Sequence, residues 1–417
     1  MARIVLSTIG SLGDLHPMIA LAFELKNRGH EAVINTWEGY REKIDGLGFE
    51  FKPLRPNVDI DDTELHRKAM DAAKGSEFII KELIVANIRE MYEDLLAAID
   101  GADAFLSGEI VYAADAASRK SGVPWISTSL APISMFSASD PSIYMQSRLM
   151  EMAWSLPTFF HQGMQVVMRA VMNSWLSEYR EFRRELGLNE DHNPILTDKF
   201  SPLLHLAMFS KALARPQSDW PAQTVQTGVC FYDESGTTEL DPALQRFLED
   251  GEPPLVFTLG SAAVMDAGDF FDESVRAAKE LGRRAVVIYG RDQKLPSGLT
   301  DDIFAAEYAP FSLIFPRAAC VVHQAGVGTT GQVLRAGVPH VIVPFSHDQP
   351  DNAARCKRAG VAEVIYRTEY NSLTAVDAIS KVLGDDSYCS KASELKSIVG
   401  GEDGSRTACD AIEGVLR

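Results

Sequence analysis

Short apolar segments alternate with amphipathic helical segments along this chain, and the alternation occurs in both halves. Segments of this length, separated by helices, are typical of the buried strands of parallel βαβ units. The sequence therefore predicts an α/β protein made of two Rossmann-like domains, each with its own parallel sheet. The predicted strands are 3–8, 31–36, 104–107 and 124–128 in the first half and 255–259, 284–289, 320–322 and 341–343 in the second.

Length and composition agree with two domains. A chain of 417 residues is long enough for two cores, and a hydrophobic content of 46% excludes a disordered protein. The stretch around 214–224 contains two prolines and several polar residues, which predicts a linker. We expect a first domain over 1–214, a linker over 215–224 and a second domain over 225–400.

The charge and the cysteines restrict the partners and the location. The formal net charge of −18 argues against nucleic acid and anionic membrane surfaces. The five cysteines are scattered without C-x-x-C spacing, as is typical of reduced thiols in a cytosol. The first residues predict a strand and not a signal peptide. We expect a cytoplasmic protein without stable membrane association, present as a monomer or a weak homodimer.

A glycine-rich turn in the second half predicts an anion site. Gly326-Val327-Gly328-Thr329-Thr330 opens a helix, where unpaired N–H groups and the helix dipole favour negative charge. About 20 residues further on, Asp348 and Gln349 follow the next strand and should emerge beside the same crevice. A carboxylate next to an amide suits a ligand covered in hydroxyls. Pyrophosphate and polyol in one cleft indicate a nucleotide sugar.

Five separate elements of this half resemble the nucleotide-sugar signature of glycosyltransferase family 1, whose members have the GT-B fold. The elements are Tyr308-Ala309-Pro310, the turn at Gly326, Gly337-Val338-Pro339, Pro344 and Asp348-Gln349. There is one departure: the family usually has a histidine where this chain has Gln324, although His323 precedes it. The donor-binding residues implied by the resemblance are Ser261, Tyr308, His323, Gln324, Gly326, Gly328, Thr329, Thr330, Asp348 and Gln349.

The first turn of the chain carries the implied catalytic base. Family members have Gly-His-x-x-Pro or Gly-Asp-x-x-Pro there, and the matching residue here is Asp14, in Gly13-Asp14-Leu15-His16-Pro17. The base would take a proton from the acceptor hydroxyl. Two alternatives remain open: Asp14 caps a helix that starts near Pro17, or His16 is the base.

The segment 143–179 is rich in methionine and aromatic residues, with Met164, Met168 and Met172 on one helical face. It predicts either a packed amphipathic helix or one wall of an apolar pocket. The resemblance favours the pocket, because family acceptor sites lie in the N-terminal domain. The acceptor-binding residues implied are Glu109, Met135, Phe136, Met164 and Met168. Glu109 is equally consistent with an ordinary polar residue at a strand end.

The resemblance implies an inverting, metal-independent transferase. It would move a hexose from a dTDP- or UDP-sugar, dTDP-rhamnose among them, to a hydroxyl of a hydrophobic acceptor such as a flavonoid, macrolide or sterol. The tail at 401–417 should form a helix that packs back on the first domain. Asp59-Ile60-Asp61 contains a D-x-D but lies in a solvated acidic run, so we expect no metal and no cofactor besides the nucleotide sugar.

Other classes of protein share this alternation. A non-catalytic nucleotide-sugar-binding or accessory protein would be indicated by loss of the base, and Asp14 is present. A sugar-nucleotide epimerase of the same fold would not need a Met-rich pocket. A nicotinamide oxidoreductase needs three glycines in the first turn, and this turn offers Gly10 and Gly13.

Overall fold

A computed structural model describes residues 1–59, 62–144, 147–233, 240–291 and 293–417. Within them the chain forms two parallel sheets, one of seven strands in the order β3-β2-β1-β4-β5-β6-β7 and one of six in the order β10-β9-β8-β11-β12-β13. The predicted alternation is therefore confirmed. The strands of the first sheet are β1 Arg3–Ser7, β2 Glu31–Thr36, β3 Glu50–Pro53, β4 Ala104–Ser107, β5 Trp125–Ser129, β6 His205–Ala207 and β7 Thr224–Gln226. Those of the second sheet are β8 Leu255–Thr258, β9 Ala285–Ile288, β10 Ile303–Ala306, β11 Cys320–His323, β12 His340–Ile342 and β13 Ala362–Val364.

Helices connect the strands and cover both faces of each sheet, as parallel pairing requires. The helices of the first half are α1 Leu12–Asn27, α2 Arg41–Gly46, α3 Thr63–Ala69, α4 Gly75–Glu77, α5 Ile88–Ile99, α6 Ala114–Ser121, α7 Arg148–Ala153, α8 Thr158–Asn173 and α9 Ser177–Glu185. Those of the second half are α10 Pro242–Glu249, α11 Phe270–Glu280, α12 Phe311–Ile314, α13 Val327–Ala336, α14 Gln349–Arg358, α15 Ser372–Gly384, α16 Asp386–Gly400 and α17 Gly404–Val415. Among the described residues, no helix is both long and apolar enough to cross a membrane.

The passage between the sheets lies later in the chain than the predicted linker. Strand β7 begins at Thr224 and pairs with β6, so it is the edge of the first sheet. The second sheet begins at Leu255, and the chain therefore crosses between the sheets within 227–254. The prolines at 216 and 221 mark the loop before an edge strand instead.

The last helix, α17, packs against α1 of the first domain. Arg28 Nη1 donates to Asp410 Oδ1 at 2.7 Å, and His30 Nε2 lies 3.2 Å from Glu413 Oε1. Cys409 and Ile412 are fully buried in the hydrophobic core of the first domain. The tail therefore belongs to the packing of the N-terminal half, although it follows the second sheet in sequence.

Two further contacts join the halves at the cleft. Met70, which follows α3, is 3% exposed and lies in the hydrophobic cluster of the second domain together with Val264 and Phe345. Ser346 Oγ donates to Met70 Sδ at 3.4 Å. The acidic run before α3 is only partly described, since residues 60 and 61 of its D-x-D lie outside the described ranges.

Candidate active site

Asp14 lies in the first turn of α1, which begins at Leu12 and not near Pro17 as the sequence predicts. Ser11 is the N-cap, and its Oγ accepts a hydrogen bond from Gly13 N–H at 3.2 Å. Asp14 Oδ2 in turn accepts from Ser11 N–H at 2.9 Å, which completes a capping box. Asp14 therefore supports the helix start from its third position and is not the N-cap.

The surroundings of Asp14 favour its protonated form. Desolvation and the nearby charge of Glu109 raise its pKa to about 7, while hydrogen bonds from Ser11 act in the opposite direction. Gly10 lets the carboxyl approach the backbone, since a Cβ on Gly10 would lie 2.3 Å from Asp14 Oδ2. Gly10 also has φ +129°, which a side chain would strain. A carboxylate that titrates near neutral pH is suited to general-base chemistry.

The alternative base, His16, has an edge-to-face contact with the ring of Tyr232 at 5.1 Å between centroids. This contact directs His16 toward the segment that follows β7. Asp14 lies instead in the first turn, close enough to Glu109 to be affected by its charge. The geometry therefore favours Asp14 as the base.

The glycine-rich turn starts α13 as predicted, with Gly326 as the N-cap. Asp348 Oδ2 accepts from Val327 N–H at 3.0 Å and from Asn352 Nδ2 at 2.7 Å. The carboxyl of Asp348 thus contacts the helix N-terminus where an anion was predicted to bind. Desolvation raises the pKa of Asp348 to about 7, and the charge of Asp14 adds to the rise. The candidate base and the candidate donor site therefore face each other across the cleft.

Backbone strain is concentrated at the same turns. Ala325 has φ +69° and His347 has φ +58°, both unusual for residues other than glycine. Ala325 immediately precedes the N-cap of α13, and His347 immediately precedes Asp348. Such strain persists where the surrounding structure imposes it, and it is enriched at ligand sites.

Gln324 lies between two glycine turns of the second domain. It is 3% exposed, and a Cβ on Gly260 would lie 2.2 Å from its Nε2. A Cβ on Gly326 would lie 2.8 Å from the same atom. Among the described residues, Gln324 Oε1 has no hydrogen-bond partner. The amide that replaces the usual family histidine thus lies beside the predicted phosphate turn.

His323 is enclosed by protein on all sides, and its role as a donor-binding residue stays a prediction. The side chain is 0% exposed, and its Nδ1 accepts from Ala325 N–H at 3.1 Å. The proton is therefore on Nε2, which donates to His340 Nδ1 at 3.1 Å. Burial and the neighbouring His340 keep the pKa of His323 well below its usual value, so the ring is neutral. Through its hydrogen bond with Ala325 N–H, His323 stabilises the backbone that leads into the glycine-rich turn.

The hydroxyls of the turn are divided between the surface and the interior. Thr329 Oγ1 would lie 3.7 Å from a Cβ on Gly260, so it is close to the loop that carries Ser261. Thr330 is 0% exposed and its N–H donates to Gly326 O, and a donor-binding role for its side chain stays a prediction. Ser261 and Gly328 are exposed, and a Cβ on Gly328 would meet nothing within 4 Å.

Two other predicted donor residues have additional contacts. Tyr308 is 44% exposed, and the Arg291 guanidinium lies 5.3 Å from its ring centroid. Gln349 is 5% exposed, and its Oε1 accepts from Phe345 N–H at 2.8 Å and from Ser346 N–H at 3.3 Å. The oxygen of Gln349 therefore holds its own loop, and its NH₂ group is the part suited to a sugar hydroxyl.

Glu109 follows β4, the neighbour of β1, and thus lies near Asp14 at the carboxyl edge of the first sheet. Its Oε1 accepts from Leu130 N–H at 2.8 Å, and its Oε2 accepts from Ser134 Oγ. Lys199 Nζ lies 3.9 Å from Oε2 and 4.9 Å from the ring centroid of Phe136. Burial lowers the pKa of Lys199. Glu109 therefore fixes the 130–134 loop and affects Asp14 through its charge.

Two methionines of α8, Met164 and Met168, face a small apolar pocket, whereas Met172 packs against the core of the first domain. Residues lining the pocket include Tyr144, Trp154, His161, Met164, Gln165 and Met168. The other side of α8 is exposed, with Phe159 at 73% and Val166 at 69%. The structure therefore combines features of both predictions for this segment, a packed amphipathic helix and a pocket wall. One face of α8 lines a pocket, and the opposite face is exposed to solvent.

The two residues at 135 and 136 differ in their surroundings. Met135 is 3% exposed and packs with Ala207 and Phe209, and its role as an acceptor contact stays a prediction. Phe136 has φ +47° and stacks on Tyr144 at 6.1 Å between centroids. Phe136 thus connects the pocket to the Lys199 and Glu109 pair.

Sequence reasoning missed several residues of the site. The capping box had a signal, because Ser11-x-x-Asp14 matches the [ST]-x-x-[DE] pattern. Asn352, Lys199 and Met70 had none, since each reaches the site by tertiary packing alone. The described residues hold no cluster of three or more His, Cys, Asp or Glu arranged to bind a metal ion.

Comparison with known proteins follows the two halves of the chain. Residues 4–124 match the Glycosyltransferase family 28 N-terminal domain, and residues 273–402 match the Erythromycin biosynthesis protein CIII-like, C-terminal domain. The O-mycaminosyltylonolide 6-deoxyallosyltransferase of Streptomyces fradiae is 30% identical over 425 residues, covering 99% of this chain and 97% of that protein. The Sterol 3-beta-glucosyltransferase of Leptosphaeria maculans is 26% identical over 98% of this chain, but the chain spans only 28% of that longer protein.

Solved structures agree over the whole length. The glycotransferase of kitacinnamycin superposes with a TM-score of 0.76 at 20% identity, covering 100% of this chain and 99% of that chain. Spinosyn rhamnosyltransferase SpnG, complexed with thymidine diphosphate, has a TM-score of 0.71 at 17% identity, covering 99% and 100%. The fold and the cleft thus define a glycosyltransferase with the GT-B fold, as the resemblance implies. More narrowly, the chain belongs to glycosyltransferase family 1, and its relatives include an antibiotic and a sterol glycosyltransferase.

Proposed function

We propose that this enzyme transfers a hexose from a dTDP- or UDP-sugar to a hydroxyl of a hydrophobic natural product, with inversion at the anomeric carbon and without a metal ion. The observation that carries the proposal is the pair of carboxyls across the cleft. Asp14 is at the start of α1, and Asp348, at the start of α14, contacts the N-terminus of α13, close enough to Asp14 for the charge of Asp14 to raise the pKa of Asp348. An acceptor between them would meet a base on one side and a sugar on the other.

The reaction needs one proton transfer and one displacement. Asp14 takes the proton of the acceptor hydroxyl as its oxygen bonds to the anomeric carbon. The bond from that carbon to the diphosphate oxygen breaks, and the diphosphate leaves on the opposite face. N–H groups at the start of α13, Thr329 Oγ1, Ser261 and the Gln324 amide stabilise the developing negative charge. Gln349 and Asp348 hold the sugar hydroxyls.

The donor is tested first by thermal shift with dTDP, UDP and GDP. A nucleotide that binds only the folded state raises stability by about 2.7 kcal/mol at roughly 100-fold excess over Kd. We expect a rise with dTDP or UDP and none with GDP. Absence of a shift with both dTDP and UDP would remove the donor assignment. EDTA should leave the rate of sugar transfer unchanged.

The base is tested with Asp14→Asn on a weakly acidic alcohol, such as a macrolide or sterol. Asn keeps the shape and can still accept from Ser11 N–H, so the transfer rate should fall by about 10²–10⁴-fold while the protein stays folded. Asp241→Asn is the matched control, because Asp241 caps α10 through Ala243 N–H at 2.7 Å. The anomeric configuration of the product, read by NMR, distinguishes inversion from retention.

A further inference from the structure

A buried ion-pair cluster joins helix α14 of the second domain to the loop 137–144 of the first. Arg355 Nε donates to Asp351 Oδ2 at 2.8 Å within α14. The same guanidinium donates to Asp140 Oδ2 and, at 3.3 Å, to Ser142 Oγ, both in the loop. Ile143 N–H donates back to Asp351 Oδ1 at 3.0 Å. Every bond of this cluster outside α14 crosses the domain boundary.

The cluster is buried on its α14 side, whereas the side chain of Asp140 on the loop is 19% exposed. The side chain of Arg355 is 3% exposed and that of Asp351 is 0% exposed. Removing one partner of such a pair leaves an uncompensated buried charge, which is costly. The Arg355 guanidinium also has a planar fork that fits two acceptors at fixed angles. The Arg355 guanidinium therefore fixes the orientation of the loop relative to α14 as well as the distance between them.

The loop is attached to different domains at its two ends. At the first end, Asp219 Oδ1 accepts from Ser137 Oγ at 2.7 Å, and Asp219 Oδ2 accepts from Ala138 N–H at 2.8 Å, both within the first domain. At the second end, Ser142 and Ile143 are held by α14. Asp219 Oδ2 also accepts from Ser139 N–H at 3.0 Å, so the part of the loop that follows Ser139 is the part held by the second domain.

This second end is a wall of the apolar pocket. Ser142, Ile143 and Tyr144 line it. Trp154 lines it as well, and the Arg358 guanidinium of α14 lies 4.1 Å from the centroid of the Trp154 ring. One pocket in the first domain is therefore shaped by two arginines of a second-domain helix.

Helix α14 also begins at the donor site. It starts at Gln349, directly after Asp348, and Asp348 contacts the N-terminus of α13. Because a helix is rigid over ten residues, the donor-side end and the Arg355 end move together. A ligand that repositions Asp348 and Gln349 would shift the pocket wall.

We propose that Arg355 is a positioning residue that ties the acceptor pocket to the donor helix, so that the nucleotide sugar shapes the site for the hydrophobic acceptor. The proposal rests on the proposed function, because it takes the α8 pocket as the acceptor site and the α13 turn as the donor site. It assigns a specific task to a residue outside both sites. Arg355 does not touch the reacting atoms.

The test measures amide hydrogen exchange of the full chain with and without saturating dTDP. In the wild type, dTDP should slow exchange at 323–330 and also at 137–144. Arg355→Leu should speed exchange at 137–144 by about tenfold or more without ligand, because the loop loses its anchor. In this variant, dTDP should still slow exchange at 323–330 but no longer at 137–144. Arg355→Lys should restore part of the effect.

Arg183→Leu is the matched control. Arg183 is an equally buried arginine, with Nη1 donating to Asp115 Oδ2 at 2.7 Å, but its pair lies within the first domain. It should lower Tm at least as much as Arg355→Leu while keeping the dTDP response at 137–144. If Arg355→Leu does not fold, the double variant Asp140→Asn with Ser142→Ala removes the same anchor from the loop side.

The outcomes separate this proposal from the proposed function. Unchanged exchange at 137–144 in Arg355→Leu would overturn the positioning role. A wild type in which dTDP slows 323–330 but not 137–144 would overturn the coupling and leave the donor site intact. If neither dTDP nor UDP slows exchange at 323–330, the donor assignment is wrong. If Arg355→Leu nevertheless speeds exchange at 137–144, the positioning role of Arg355 is still supported.

Discussion

The structural role of Asp14 and the base role proposed for it fall in the same turn. Its Oδ2 accepts from Ser11 N–H, which supports the start of α1, while desolvation and Glu109 raise its pKa to about 7. The two tasks are compatible, because a capping box needs an acceptor and general-base catalysis needs a basic oxygen. The alternatives in the sequence, cap or base, were therefore not exclusive.

The raised pKa of Asp14 predicts the pH profile of sugar transfer. Below about pH 7 the carboxyl is protonated and cannot accept a proton, so kcat/KM on a weakly acidic alcohol should rise with pH and level off above about 7. Asp14→Asn should flatten this rise. Steady-state rates in overlapping buffers measure it, and an unchanged profile in the variant would point to another group.

The same shift has the opposite effect on stability. Because the folded pKa of Asp14 lies above its unfolded value, its contribution is present at low pH and is lost as pH rises through about 7. Asp14→Asn should therefore gain Tm relative to the wild type as pH rises from about 4 to about 7. Thermal unfolding across this range measures the difference, and a constant difference would contradict the buried titration.

At the donor site, Asp348 is expected to oppose a diphosphate. Its carboxylate contacts Val327 N–H at the N-terminus of α13, where a charge is worth about 0.3–1 kcal/mol. Asp348→Asn should thus strengthen binding of free dTDP by roughly two- to fivefold at about pH 8, while weakening use of the intact sugar donor. Calorimetry with dTDP measures it. Asp403→Asn, at the N-cap of α17 where Oδ1 accepts from Arg406 N–H, should change nothing.

Residue identity was predictable where a motif constrains the backbone and not where packing decides. The Gly326 turn and Asp348 lie beside each other as their spacing predicts, because parallel strands end at one edge of a sheet. His323 and Thr330 match the motif equally well, yet their side chains point inward. Sequence spacing identifies a turn, but the direction of each side chain depends on the strand and helix that flank it.

Among the elements, α17 packs closely against Val229, which lies in the stretch of chain after β7 that leads to the second sheet. A Cβ on Gly404 would lie 2.3 Å from Val229 O, which is backbone and cannot turn aside. Gly404→Ala should therefore lower the free energy of unfolding by about 1–3 kcal/mol. Denaturant unfolding measures it.

Gly414 on the same helix is the control, since a Cβ there would meet nothing within 4 Å. Gly414→Ala should be neutral or stabilising by up to about 1 kcal/mol, because alanine is the better helix former. Equal losses in both variants would show that α17 is not docked as described.

Element boundaries were accurate for strands and less so for the first helix. The strands at 31–36 and 104–107 agree at both ends, and the other six predicted strands differ by one residue at one or both ends. The start of α1 was missed by several residues because Pro17 suggested a first turn, whereas the capping box at Ser11 starts the helix earlier. Pro17 therefore lies inside α1, beyond its first turn.

At the scale of the whole molecule, Met70 tests whether the two domains are closed on each other. It belongs to the first half of the chain but is 3% exposed within the core of the second. Met70→Ala should lower the free energy of unfolding by about 2–5 kcal/mol. Met152, which is 72% exposed, is the control, and its replacement by alanine should stay within about 0.5 kcal/mol. Two equally small changes would indicate an open cleft in solution.

The sequence by itself determined the class of fold, the family and the turns that carry the chemistry. These features are strand and helix periodicity, the glycine turn at Gly326 and the pair Asp348-Gln349. Each is a pattern among residues close together in the chain, so it can be recognised without the structure. Only the tertiary structure decided that β7 belongs to the first sheet and that His323 is buried. Only it placed Arg355 against the loop of the other domain, because such contacts join residues more than 200 positions apart that no spacing rule connects.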